Sequence, residues 1–165
     1  MTPSELRIRS ARPDDIPALT DIYLSTARHH AALDPAEYRV PEVAAVHARF
    51  VAELDAAEEE DLHLVAEVDG VVVGQLDVIG GRRRSPGSMR VPRASASIGI
   101  AVLDGWRGRG IGTALMAAAE DWARGRDLDV LDLDVATPNE AGRRLYERLG
   151  YVRTAETMVK PLREG

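Results

Sequence analysis

At 165 residues, with 45% hydrophobic and 29% charged side chains, the chain has the size and composition of one globular domain with a single core. It contains no cysteine, which excludes a disulfide framework, a thiolate metal site and a cysteine nucleophile together. A net charge of −6 opposes nucleic-acid binding, which needs a positive field, and no apolar run approaches the roughly 18 residues of a membrane span. The N-terminus lacks a basic-then-apolar export signal, so a cytoplasmic location is expected, with neither nucleic acid nor membrane as partner.

Leu6-Arg7-Ile8-Arg9 alternates apolar and polar as a half-buried strand does. Pro13-Asp14-Asp15 opens a helix whose stripe is Ile16, Leu19, Ile22, Tyr23 and Ala27. Asp34-Pro35 breaks the chain. A second helix is expected from about Pro41 to Ala57, with Val43, Val46, Phe50 and Leu54 on one face. Glu58-Glu59-Glu60-Asp61 reads as a solvated turn.

Leu62–Val68 and Val71–Ile79 are rich in β-branched residues, and Asp69-Gly70 between them signals a two-residue hairpin turn. Gly80–Arg93 reads as a polar loop, and Ala94–Val102 as another strand. A helix should follow from about Gly110 to Arg126, with Ile111, Leu115, Ala119 and Trp122 inward. Val130–Val135 alternates as the next strand. Asn139–Leu149 is a short helix stopped by Gly150, and Tyr151–Val159 a closing strand. The expected fold is α/β (α+β), a mixed and mostly antiparallel sheet of six to seven strands flanked by about four helices. It forms a single domain over residues 1–165.

Between the Ala94–Val102 strand and its helix lies Arg107-Gly108-Arg109-Gly110-Ile111-Gly112. A strand-to-helix junction favours anions, because free N–H groups and the positive dipole end face the ligand. Glycines let the backbone turn and approach closely, and Arg107 and Arg109 add charge. A P-loop would need a lysine that is absent here. A dinucleotide fingerprint would need a third glycine where Thr113 or Leu115 stands, and would follow the first strand.

The stretch Ile98–Gly112 resembles motif A of the GCN5-related N-acetyltransferase (GNAT) superfamily, an apolar strand followed by Arg/Gln-x-x-Gly-x-Gly/Ala. Arg107, Gly110 and Gly112 fill its fixed places. Val135-x-x-x-Asn139 with Leu145–Tyr151 resembles the same family's motif B, with Gly142 where a small alanine is usual. The resemblance implies the GNAT fold and acetyl-CoA as cosubstrate, with no metal. The strand end Ala101, Val102 and Leu103 would hold the pantetheine arm, and this strand would splay from the Val130–Val135 strand to open a slot. Arg107, Gly108, Arg109, Gly110, Ile111, Gly112 and Thr113 would wrap the pyrophosphate. Asn139 and Tyr146 would contact the coenzyme from the other side.

The implied reaction is direct attack of a neutral amine on the thioester carbonyl, polarised by the Val102 N–H. A thiol titrates near ~8.5 and a phenol near ~10, so Tyr146 can protonate the departing sulfur. For the base, relatives place a glutamate on the strand before the loop. Ala96-Ser97-Ile98-Gly99-Ile100 offers none, which leaves Asp77, Asp134 and Glu140.

The first two helices would build the acceptor side, with His29, His30 and Tyr38 between them. A small-molecule amine is the expected acceptor. A protein or peptide amine, or coenzyme binding without catalysis, are the alternatives, and −6 net charge opposes a tRNA acceptor. Arg82, Arg83, Arg84, Arg90 and Arg93 form a basic loop suited to an acidic acceptor or the coenzyme 3′-phosphate. The resemblance also implies a homodimer through the final strands, using Val152, Met158 and Val159.

Overall fold

The computed structural model describes residues 5–83 and 87–163, and for residues 81–83 the backbone alone. Arg84 and the side chains of Arg82 and Arg83, named above for the basic loop, lie outside the described residues.

Strand β1 (Leu6–Ser10) leads through a 3-10 turn at Pro13–Asp15 into helix α1 (Ile16–Leu33). Helix α2 is Val43–Asp55, and strands β2 (Leu62–Val68) and β3 (Val71–Arg83) form a hairpin. Its turn is the expected Asp69-Gly70, both residues at positive φ. Strand β4 is Ala94–Val102, α3 is Ile111–Arg124, β5 is Val130–Asp132 and α4 is Glu140–Arg148.

The described strands make one sheet in the order β1-β2-β3-β4-β5. All pairs are antiparallel except β4 with β5. Helices cover both faces. On one, Ile111, Leu115, Met116 and Ala119 of α3 pack on Leu64, Ala66, Leu76, Val78 and Ile98. On the other, Ile16, Leu19 and Leu24 of α1 and Val46 and Phe50 of α2 pack around Val65. Arg9 ties the first strand and turn together, with bridges of 2.7 Å to Asp15 and 2.8 Å to Glu67.

The expected strands need correction. The sheet has five strands among the described residues, not six to seven, because Tyr151–Val159 forms no strand. Its β-branched residues favour extended backbone, but a strand needs a ladder partner that local preference cannot supply. Val152, Met158 and Val159 are 80, 94 and 81% exposed. The other correction concerns Val130–Val135, which pairs only over its first three residues before the chain leaves the sheet. The basic loop also starts later than expected, since β3 runs four residues past Ile79.

Candidate active site

The early end of β5 shapes the site. Its ladder with β4 stops at Ser97↔Asp132, while β4 continues against β3 as far as Val102. From Ile98 onward the β5-side edge of β4 is therefore unpaired. Which backbone groups face that edge follows from one bond. The Leu103 N–H donates to Val73 O at 2.8 Å, so the antiparallel alternation turns Ala101 and Leu103 toward β3. Ile100 and Val102 turn toward the open edge. The backbone groups available for an extended ligand are thus those of Ile100 and Val102, and of the three residues expected there only Val102 presents its own. The Val102 carbonyl already accepts from Arg107 Nε at 3.2 Å, which leaves its N–H.

Residues 103–113 connect β4 to α3. Among the described residues, the backbone N–H groups of residues 107–113 donate to no backbone acceptor outside the helix, and the first bond of α3 runs from the Ala114 N–H to Gly110 O. Gly110 caps the helix with no side-chain bond. The N-terminus of α3 therefore keeps the free donors and the positive dipole end that a phosphate seeks. Gly108 and Gly110 have φ of +73° and +81°, and a Cβ on either would meet nothing within 4 Å. They are needed for left-handed backbone rather than for room. Gly112 serves differently. It lies in the first turn of α3, where a Cβ would come 3.3 Å from Leu145 of α4, so its absence lets α4 close on α3. Arg109 stacks over the Trp106 ring at 4.9 Å. This set of unpaired donors, two arginines and an open edge fits a pyrophosphate continuing into an extended arm.

Asn139 caps α4, its Oδ1 accepting the Gly142 N–H at 3.0 Å. A Cβ at Gly142 would sit 2.7 Å from Asn139 Nδ2, so the glycine that departs from motif B accommodates this cap. Tyr146 packs its ring against the α3-side core and lies edge-on to Tyr151 at 6.2 Å. Burial raises its phenol above the ordinary value, so it stays protonated at neutral pH.

The three candidate bases separate. Asp134 is exposed beyond β5, and Glu140 is exposed and bonded to Arg144 at 3.0 Å. Asp77 is largely buried on β3, and that burial pushes its carboxyl up to about 6. On α1, the His30 ring lies tilted against that of Tyr38, with centroids 5.1 Å apart. His29 sits near Arg107 instead. Burial first, then the Arg107 guanidinium, lowers its imidazole below the usual histidine range. The Asp104 N–H donates to Ser25 Oγ at 3.1 Å and fastens the loop to α1. Sequence reasoning missed Gln75 and Ile100. Each sits in an ordinary strand pattern, and only its register marks it.

Comparisons with known proteins agree with this geometry. The profile of the Acetyltransferase (GNAT) family matches residues 19–151. Among curated proteins, none matches the sequence. Among solved structures, the tetramutant of the BH1408 protein from Bacillus halodurans superposes with a TM-score of 0.84 at 23% identity, covering 94% of this chain and 99% of that one. Aminoglycoside N-acetyltransferase AAC(6')-Iy, in complex with CoA, gives 0.70 at 21% identity over 99% of both chains. A ribosomal-protein-alanine N-acetyltransferase from Brucella melitensis gives 0.65 at 28% identity, covering 87% of this chain and 83% of that one. With the profile spanning most of its length, the chain belongs to the acetyltransferase (GNAT) family.

Proposed function

We propose that the protein transfers an acetyl group from acetyl-CoA to the primary amine of a small molecule by direct attack. The observation that carries this reading is the uncapped N-terminus of α3, with its row of unpaired N–H groups, beside the unpaired edge of β4. Backbone groups of Ile100 hold the pantetheine arm, and residues 107–113 hold the pyrophosphate. Asn139 borders the coenzyme from α4. The Val102 N–H polarises the thioester carbonyl. A neutral amine attacks that carbon, the C–N bond forms as the C–S bond breaks, and the Tyr146 phenol gives its proton to the leaving sulfur. The CoA complex of AAC(6')-Iy supports acetyl-CoA as the donor, and the same protein's aminoglycoside specificity supports a small-molecule acceptor. The Brucella melitensis relative keeps a peptide N-terminus as the second reading.

The exposed apolar side chains of Val152, Met158, Val159 and Leu162 support a homodimer through the C-terminal segment. The activity is tested by thiol release from acetyl-CoA with n-butylamine, phenethylamine, spermidine, neamine and a peptide beginning with alanine. Turnover with the small amines and none with the peptide is expected, and the reverse pattern would favour the peptide reading. Tyr146→Phe should lower kcat about 100-fold and leave acetyl-CoA affinity unchanged, as removal of a general acid does. A wild-type kcat in that variant would remove Tyr146 from the acid role.

A further inference from the structure

Strand β4 carries no carboxylate beside the open edge, yet one lies over the strand from its neighbour β3. Gln75 and Asp77 are two apart on β3, so both face α1 and α2, away from the α3-side core that holds Leu76 and Val78. Their ladder partners on β4 are Ala101 and Gly99. The Asp77 carboxylate lies over Gly99 so closely that a Cβ there would come 2.7 Å from Oδ2. The glycine therefore makes the space this carboxylate occupies. Gly99 to Val102 is three strand steps, ~10 Å, which an amine nitrogen and one water can span.

The same face opens into a small cleft of about 10 Å³, room for one water-sized group. Leu19, Phe50 and Leu54 give it apolar walls, and Glu53, Gln75 and Asp77 its polar end. Gln75 is 6% exposed, and among the described residues its Oε1 has no hydrogen-bond partner. A buried carbonyl oxygen left without a donor is destabilising, and a ligand N–H would relieve it. The charges agree. Arg49 of α2 bridges Glu53 at 2.7 Å, which offsets one carboxylate and leaves the other.

We propose that this cleft receives the cationic head of the acceptor, a primary ammonium, with Gln75 Oε1 and the Asp77 carboxylate accepting its hydrogen bonds directly or through water, and that Asp77 removes the proton that must leave before attack. The inference rests on the acetyl-transfer reading above. One ammonium proton passes to Asp77, directly or through water, and on to solvent over the exposed Gly99. The freed nitrogen pair forms the C–N bond as the C–S bond breaks. The departing sulfur takes the Tyr146 proton, and the second amine proton restores the phenol.

The groups facing Asp77 are His63 on β2 and Glu53 and Arg49 on α2. On β4 its neighbour is Gly99, and Asp132 of β5 is held by the Ser97 hydroxyl. Burial raises the Asp77 carboxyl and Glu53 adds to this, while His63 and Arg49 oppose it.

The test measures thiol release from acetyl-CoA with n-butylamine, phenethylamine and spermidine across neutral pH, with acetyl-CoA affinity by calorimetry. In the wild type, kcat/KM for the amine should fall on the acid side with an apparent pKa of about 6. Asp77→Asn should lose that limb and at least ~100-fold in kcat, with unchanged acetyl-CoA affinity. Gln75→Leu should raise the amine KM and keep the limb. An Asp77→Asn variant with wild-type kcat and an unchanged limb would overturn the proposal alone. A wild-type protein that binds acetyl-CoA yet releases no thiol with any of the three amines would overturn the acetyl-transfer reading, and this proposal with it.

Discussion

Asp77→Asn should make the protein more stable at neutral pH, although the wild-type residue is the one assigned to proton removal. Burial raises the Asp77 carboxyl from 3.8 to about 6 in the folded chain. A carboxyl raised on folding contributes its stability below the unfolded value, and that contribution is lost as pH rises through the folded one. The window is therefore between pH 3.8 and about 6. Above it the folded state carries the full cost of a desolvated charge. At 1.36 kcal/mol per unit, the shift of about two units amounts to roughly 3 kcal/mol. Water in the open cleft relaxes part of this, so a gain of about 1–3 kcal/mol is expected from the neutral amide. In a domain of this size each kcal/mol moves the Tm by about 2–4 °C. Urea unfolding with linear extrapolation at about pH 7.5 and about pH 4 measures it. The gain should be present at the higher pH and nearly vanish at the lower, where both side chains are neutral. A loss at both values, or an equal gain at both, would refute the argument. The opposite signs for stability and turnover are the usual cost of a reactive group held out of water.

Two further outcomes follow from other parts of the fold. Gly110→Ala places a side chain at φ +81°, which costs about 1–2 kcal/mol, so CoA affinity by calorimetry should fall about tenfold as the loop distorts. Wild-type affinity would show that the left-handed turn is not needed for binding. Arg9→Met removes the guanidinium shared by Asp15 and Glu67 and should cost about 3 kcal/mol in urea unfolding. Asp15 is held below its usual 3.8 chiefly by the Arg9 hydrogen bond, so its contribution is present above that value and lost as pH falls through the lower folded one. The gap between wild type and variant should therefore narrow in acid, and a constant gap would place the cost elsewhere.

The elements that were legible in the sequence are those with strong local signals. The Asp69-Gly70 turn, the stripe of α3 and the Ala94–Val102 strand all appear where the pattern puts them. The strand-to-helix junction at Arg107–Gly112 was legible too, because a glycine-rich turn before a helix exposes N–H groups whatever surrounds it. The errors lie at the C-terminal edge. Val130–Val135 and Tyr151–Val159 both have strand-like residues, but pairing depends on a partner's position, which is non-local. The first stops at Asp132, and the second finds no ladder among the described residues.

The acceptor half shows the same division. Residue types alone excluded cysteine chemistry and marked Arg107–Gly112 as a candidate anion-binding loop and Tyr146 as a candidate acid. They also reduced the base to three carboxylates without ranking them. Ranking needed the register of β3 against β4, which sets Asp77 over Gly99 and Gln75 beside Ala101, and the α1–α2 layer that shields them from water. A carboxylate's proton affinity depends on the solvent and charge around it. Those surroundings are assembled from residues 11 to 99, far apart along the chain, and exist only once the sheet and its helices have packed.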